Sequence, residues 1–197
     1  MGEVTPPSIM LPRKLNILDK QKLLTHLKSL QGEDRRLRFG AVVTDEYIEK
    51  YVNSSINDVD SKWFGIDHID GYLVAACHAS IIDDLAELGC SVNKEYRGHG
   101  FAQLMFDRAV TWLRSKNIRD VCMHCLSENA VMKHIARKND MTVVTEYGET
   151  DANVHLEPPT PVVHMVDAYA DRMALYDMMY KNNLRVIRNI FGDASHT

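Results

Sequence analysis

The chain lacks a long apolar run, an excess of positive charge and a Gly-Lys-Ser/Thr triplet, and each absence removes a class of function. No stretch approaches the roughly 20 apolar residues that a membrane-spanning helix needs. The polar, proline-containing N-terminus has no apolar region of the signal-peptide kind. Met1-Gly2 resembles the start of a myristoylation signal, but Pro6 stands where Ser or Thr is required. Together these readings predict a cytoplasmic protein with no membrane partner. With 27 acidic and 23 basic residues and a net charge of −4, general nucleic-acid binding is not expected. Four cysteines without secretory signals predict reduced thiols. Two of them sit in Cys122-Met123-His124-Cys125, a strand-like run in which residues three apart point to opposite faces. Buried apolar thiols, and no metal, are expected there.

What is present is an ordinary globular composition over 197 residues, long enough for one domain with an appendage. Lys14 to Leu18 reads as a first strand, and Asp19 as the cap of a helix to about Leu30. A basic segment follows, Asp34 to Phe39, and then a helix capped by Thr44 and running to about Ser54. Three strand-like runs, Trp63 to Ile69, Tyr72 to Ile82 and Leu85 to Val92, are joined by Asp70-Gly71 and Asp83-Asp84 and predict an antiparallel meander. A helix from Phe101 leads to Asn117 and a strand at Ile118 to Leu126, a crossover that makes this strand parallel to the run ending at Val92. Ser127-Glu128-Asn129 opens a short helix to about Asn139. Met141 to Tyr147 and Asn153 to Glu157 form a hairpin across Glu149-Thr150-Asp151. Beyond Pro158-Pro159-Thr160-Pro161, Val162 to Phe191 reads as one long helix, with a kink near Asn182-Asn183. The chain therefore divides into a tail (1–13), a domain (14–157) and a C-terminal extension (158–197).

The informative stretch is Arg97-Gly98-His99-Gly100, between a strand and an amphipathic helix. A helix N-terminus offers unpaired N–H groups and partial positive charge to an anion, and glycines let a bulky phosphate approach the backbone. A plain structural turn has the same composition. A P-loop is excluded, and a dinucleotide fingerprint fits poorly because its third glycine is missing and the preceding sheet is antiparallel.

Arg97-Gly98-His99-Gly100-Phe101-Ala102, together with the order of elements over residues 14–157, resembles the GNAT family, the GCN5-related N-acyltransferases that use acyl-coenzyme A. The resemblance implies an α/β fold with a mixed, largely antiparallel sheet of six or seven strands, helices on both faces, and here a long C-terminal helix besides. It implies acetyl-CoA, or another acyl-CoA, as co-substrate, and an amine as acceptor. The diphosphate would rest on Arg97, Gly98, His99, Gly100, Phe101 and Ala102. Cys90 and Val92 would pair their backbone with the pantetheine arm, and the strand pair 85–92 and 118–126 would splay there. Asn129 matches an asparagine that touches this arm, and is equally well a helix cap.

Alternation puts Ala86, Leu88, Cys90 and Val92 on one apolar face and Glu87 on the other with Gly89 and Ser91, whose small size leaves room for a substrate. The family often carries a glutamate here as general base, a role the resemblance assigns to Glu87. The family's usual acid, a tyrosine seven residues after the asparagine, is replaced by Ala136, which leaves the acid open; His124, Cys125 and Ser127 lie near in sequence. The segment 34–39 is similar to one that borders the acceptor groove in bacterial branches of the family, which implies that its arginines orient an acidic substrate or the coenzyme's phosphates, or make structural ion pairs. The apolar residues of 162–191, too many to stay in water, pack on their own domain or on a second copy in a homodimer. Two functions remain open: an N-acetyltransferase, or an acyl-CoA-binding regulatory module without chemistry.

Overall fold

The computed structural model describes residues 10–191, so most of the tail and the last residues of the C-terminal extension lie outside it. Seven strands form one sheet in the order β1-β2-β3-β4-β5-β7-β6. They are β1 (Pro12–Lys14), β2 (Ser61–Asp67), β3 (Leu73–Ile82), β4 (Leu85–Val92), β5 (Asp120–Leu126), β6 (Thr142–Glu146) and β7 (Glu149–His155). Every neighbouring pair is antiparallel except β4 and β5, which the helical crossover makes parallel. Six helices accompany the sheet: α1 (Lys20–Ser29), α2 (Gly32–Phe39), α3 (Asp45–Ser55), α4 (Phe101–Ser115), α5 (Ala130–Lys138) and α6 (Pro161–Phe191).

Two cores follow from the two sheet faces. Leu23 and Leu27 of α1 and Ile48 and Val52 of α3 pack with Trp63, Leu73 and Ala76. On the opposite face Met105, Phe106, Ala109, Trp112 and Leu113 of α4 pack on Phe64, Val74, Ala86 and Leu88. The apolar face of β4 is therefore the one that carries α4, and Glu87, Gly89 and Ser91 face the side of α1 to α3.

Four local readings are corrected. The first strand ends at Lys14 because Asn16 accepts from the N–H of Leu18 and Asp19 accepts from the N–H of Asn16, a reciprocal cap that turns the chain at Ile17. Asp19 thus makes no side-chain cap for α1; its carboxylate belongs to that turn and to Arg13, 2.6 Å away. The basic segment is itself the helix α2. It has almost no apolar stripe, but Glu33 and Asp34 lie at its start and Arg36 and Arg38 at its end, the order the helix dipole favours, and Gly40 stops it at φ 73°. The last hairpin turns at Tyr147-Gly148, both at positive φ, two residues before the expected place, and Glu149 to Asp151 already pair in β7.

The helix α6 is continuous through Asn182-Asn183 and docks on α4 and the β1 edge by its charged face. Asp167 pairs with Lys14 at 3.0 Å and Arg108 at 2.6 Å, and Asp171 also bonds both. Lys181, fully enclosed, donates to Asp177 and to the backbone oxygen of Asp67. The apolar residues point the other way: eleven large apolar side chains of α6, Met165, Tyr169, Tyr176 and Met179 among them, are 48% or more exposed.

Candidate functional site

The site is made where β4 leaves β5. The two strands pair at Leu85/Asp120, Ala86/Val121 and Glu87/Cys122, and the ladder stops there. Beyond Glu87, β4 keeps its antiparallel partner β3 as far as Val92, so its other backbone edge from Leu88 onward has no neighbour in the sheet. The chain then turns through Gly98 at φ 78° and Gly100 at φ 79° into α4. A Cβ built on either glycine would meet nothing within 4 Å, so it is the positive φ, rather than crowding within the protein, that calls for glycine. The N-cap of α4 is Gly100, which has no side chain to cap it. The first N–H groups of α4, which no helix can satisfy internally, are left at the turn.

A cavity of about 410 Å³ joins these features. Cys90, Val92, Arg97, Gly98, Gly100, Phe101, Ala102 and Asn129 all line it. The wall is completed by Leu37 and Arg38 of α2, Tyr96 and Gln103, and Met132, His134 and Lys138 of α5. His99 is not in the lining; its ring turns back on the carbonyl of Arg97 at 2.9 Å. Glu87 is outside the lining too, exposed at the last rung of the β4–β5 ladder. Its carboxylate lies close enough to the buried thiol of Cys122 to help burial push that thiol up to about 11. Asn129 does both things expected of it: it caps α5, accepting from the N–H of Met132 at 3.2 Å, and it lines the cavity. The side chain of Arg97 bridges to Asp34 of α2 at 2.9 Å and donates to the carbonyl of Val92, tying α2 to the glycine turn.

None of the sequence candidates for the acid reaches the cavity lining. His124 is exposed and held by Asp151 at 2.6 Å, Cys125 packs against the α4 core, and Ser127 gives its carbonyl to Lys133. Cys122 and Cys125 lie on opposite sheet faces. Ala136 is fully buried.

The arginines of α2 divide by role. Arg35 donates to the carbonyls of Lys28 and Leu30 at the end of α1 and pairs with Asp45; Arg36 pairs with Glu33 and Glu128. These are structural. Arg38 instead lies flat over Gly89, with Nη1 2.8 Å from where a Cβ would stand, and His26 reaches Ser91 Oγ at 2.9 Å. The room expected over those two small residues is thus already filled. Burial holds the imidazole of His26 down at about 4 and that of His78 at about 3, with the charge of Arg38 adding to both. Sequence reasoning missed His134 and Lys138, whose i,i+4 spacing on α5 was the available signal, and Tyr96, for which there was none.

An open sheet whose two parallel strands part ahead of a glycine turn and a helix start is the α/β arrangement that the sequence resemblance implies. The chain belongs to the acetyltransferase (GNAT) family, whose model matches residues 26–140. No curated protein is similar enough to this chain to count as a match. Among solved structures it is similar to the GNAT domain of S. lividans PAT, at 20% identity and TM-score 0.65 over 74% of this chain and 89% of that one. It is similar to a GNAT-family acetyltransferase from Streptococcus pneumoniae, at 14% identity and TM-score 0.63 over 75% of this chain and 99% of that one. It is also similar to the PaiA N-acetyltransferase of Thermoplasma acidophilum, solved in complex with coenzyme A, at 19% identity and TM-score 0.56 over 74% and 98% of the two chains.

Proposed function

We propose that this protein transfers an acyl group, most simply acetyl, from acetyl-CoA to a primary amine that attacks the thioester directly in a ternary complex. The observation that carries this reading is the cavity running from the turn at Gly98 and Gly100 along the free edge of β4 to Cys90, three residues short of the last β4–β5 rung at Glu87. The amides from Gly98 to Ala102 would hold the coenzyme A diphosphate, where the helix dipole adds its partial positive charge. The free edge of β4 at Cys90 and Val92 would take the amide-rich pantetheine arm as an added strand. Asn129 would touch the arm from the other wall. The thioester then lies toward Glu87.

An amine with an ordinary pKa near 10.4 is protonated at neutral pH, and removing that proton costs roughly 4–5 kcal/mol. Glu87 is the base we assign to it, directly or through water. With Ala136 at the position of the family's tyrosine, the departing thiolate has no side-chain acid there. A thiol pKa near 8.5 makes it a tolerable leaving group that water can protonate.

We further propose that two copies pair through α6. Eleven large apolar side chains of α6 are about half exposed or more, and an apolar surface of that extent marks an interaction site. Val162, Tyr169, Tyr176, Asn183 and Ile190 fall on a seven-residue repeat that is apolar at four of its five places, with Met165-Val166, Met179-Tyr180 and Val186-Ile187 between them, a spacing that suits another helix. No helix among the described residues is long and apolar enough to cross a membrane.

The test is an amine screen with acetyl-CoA, following free thiol and confirming the product by mass spectrometry. Steady thiol release with at least one amine supports the enzyme. Binding of acetyl-CoA without release from any amine would leave only a binding module. Acetyl-CoA at a hundred times its dissociation constant stabilises by about 2.7 kcal/mol, or roughly 5–11 °C in a chain of this size. No shift with any acyl-CoA would count against both.

A further inference from the structure

The fold is careful with its buried guanidinium groups. Arg13 lies between Asp19 and Asp67, and Arg108 between Asp167 and Asp171. Arg108 Nε is itself unpartnered, but its two terminal nitrogens are held by carboxylates; Arg185 and Arg38 lack a carboxylate, and of these two only Arg38 lines the cavity. Its Nε is enclosed without a partner, no carboxylate lies within 4 Å among the described residues, and its one side-chain bond is a long one of 3.5 Å to the hydroxyl of Tyr51. Around it stand the rings of Phe39, Tyr51 and Trp63 at 5.0 to 5.9 Å, which offer a cation only their faces. His26 and His78 nearby are held neutral. The chain is not short of acids, with 27 against 23 bases, and yet places none here. Asp34, which lines the same cavity, is already paired with Arg97. Arg38 is half-buried, its Nε enclosed and the residue part of the cavity wall; a guanidinium so placed without a counter-charge offers a planar fork that fits a carboxylate.

We propose that Arg38, at the wall of the cavity, is the docking point for a carboxylate carried by one of the two reacting molecules, the amine acceptor or the acyl group. The inference deepens the acyl-transfer reading and rests on it for the identity of the ligands. Arg38 covers Gly89, two residues along β4 from Glu87 and on the same face, a separation of about 7 Å. A molecule whose amine meets Glu87 while its carboxylate meets Arg38 is therefore compact and amino-acid-like. A carboxylate at the end of the acyl chain would reach Arg38 from the coenzyme side instead, past Cys90.

Calorimetry separates the two sources without needing turnover. In the first arm the coenzyme A-saturated protein is titrated with free amino acids and with their carboxamides. In the second, the unliganded protein is titrated with succinyl-CoA and with butyryl-CoA. In one arm the carboxylate member binds at least tenfold more tightly than its neutral counterpart. Arg38→Met brings that ratio to about one, and Arg38→Lys keeps part of it. Equal affinities for charged and neutral members in both arms of the wild-type protein overturn the proposal, whatever the variants do. So does a ratio that Arg38→Met leaves intact. A melting temperature of Arg38→Met at or above that of the wild type agrees with an uncompensated charge, whereas a fall of more than 10 °C makes Arg38 a structural cation and overturns it. Thiol release from neutral amines by a wild-type protein without carboxylate preference would sink this inference and leave the enzyme. Arg38-dependent carboxylate binding without any thiol release would do the reverse.

Discussion

Strand alternation put Glu87 opposite the apolar face of β4, and that face assignment holds; its candidacy as base came from the family resemblance. What alternation did not reveal is the occupant of that face: Arg38 and His26 come from helices more than fifty residues earlier in the chain, and no local pattern joins them to Gly89 and Ser91. If Glu87 takes the proton, Glu87→Gln lowers kcat at neutral pH by tenfold to a hundredfold, and the pH–rate profile rises toward the pKa of the amine itself. An unchanged profile removes Glu87 from the role. The buried histidines make a separate prediction. Below about 6.5 the unfolded chain binds protons that the folded one refuses until about 4 at His26 and about 3 at His78. Stability therefore falls as pH drops through that window, each group contributing about 1.4 kcal/mol per pH unit. Denaturant midpoints between pH 7 and 4.5 should show this slope, and His26→Gln should flatten its share. A flat profile in the wild type would mean that neither ring is buried as described.

At the scale of elements, the meander, the crossover and the glycine turn were legible because period-two alternation, Asp-Gly turns and a strand-to-helix glycine pair are local signals. The helix α2 was not, since eight residues with little apolar content give no stripe; its charge order and Gly40 were the clues. The first strand was misplaced for a similar reason, because the reciprocal cap of Asn16 and Asp19 outweighs the apolar run Leu15-Asn16-Ile17-Leu18. The turn itself can be tested by splitting two effects. Gly100→Ala forces an L-residue to φ near 79° but meets no neighbour, so it costs about 1–2 kcal/mol of stability. Its methyl would intrude where the diphosphate is placed, so affinity for coenzyme A should fall at least tenfold. Lost stability with unaltered affinity would show the glycines serving the turn alone.

The whole molecule combines a division of labour between the two edges of β4 with a long C-terminal helix. One edge of β4 holds the meander together, while the other, beyond Glu87, is left free by the departure of β5. The helix α6 turns its charges inward and its apolar side outward, an arrangement that the sequence could show only as an excess of apolar residues, because which face meets the domain depends on Lys14, Arg108 and Asp67 far away. Light scattering during size exclusion should give a dimer, and Tyr169→Glu with Tyr176→Glu a folded monomer. A monomeric wild type at micromolar concentration would contradict pairing through α6.

The most direct measurement of the central claim is a crystal structure of the protein with coenzyme A. The diphosphate oxygens should lie within about 3 Å of the amide nitrogens between Gly98 and Ala102, the pantetheine arm along Cys90 and Val92, and the sulfur near the end of the β4–β5 ladder at Glu87. Coenzyme A bound elsewhere, with that turn empty or closed by side chains, would contradict it.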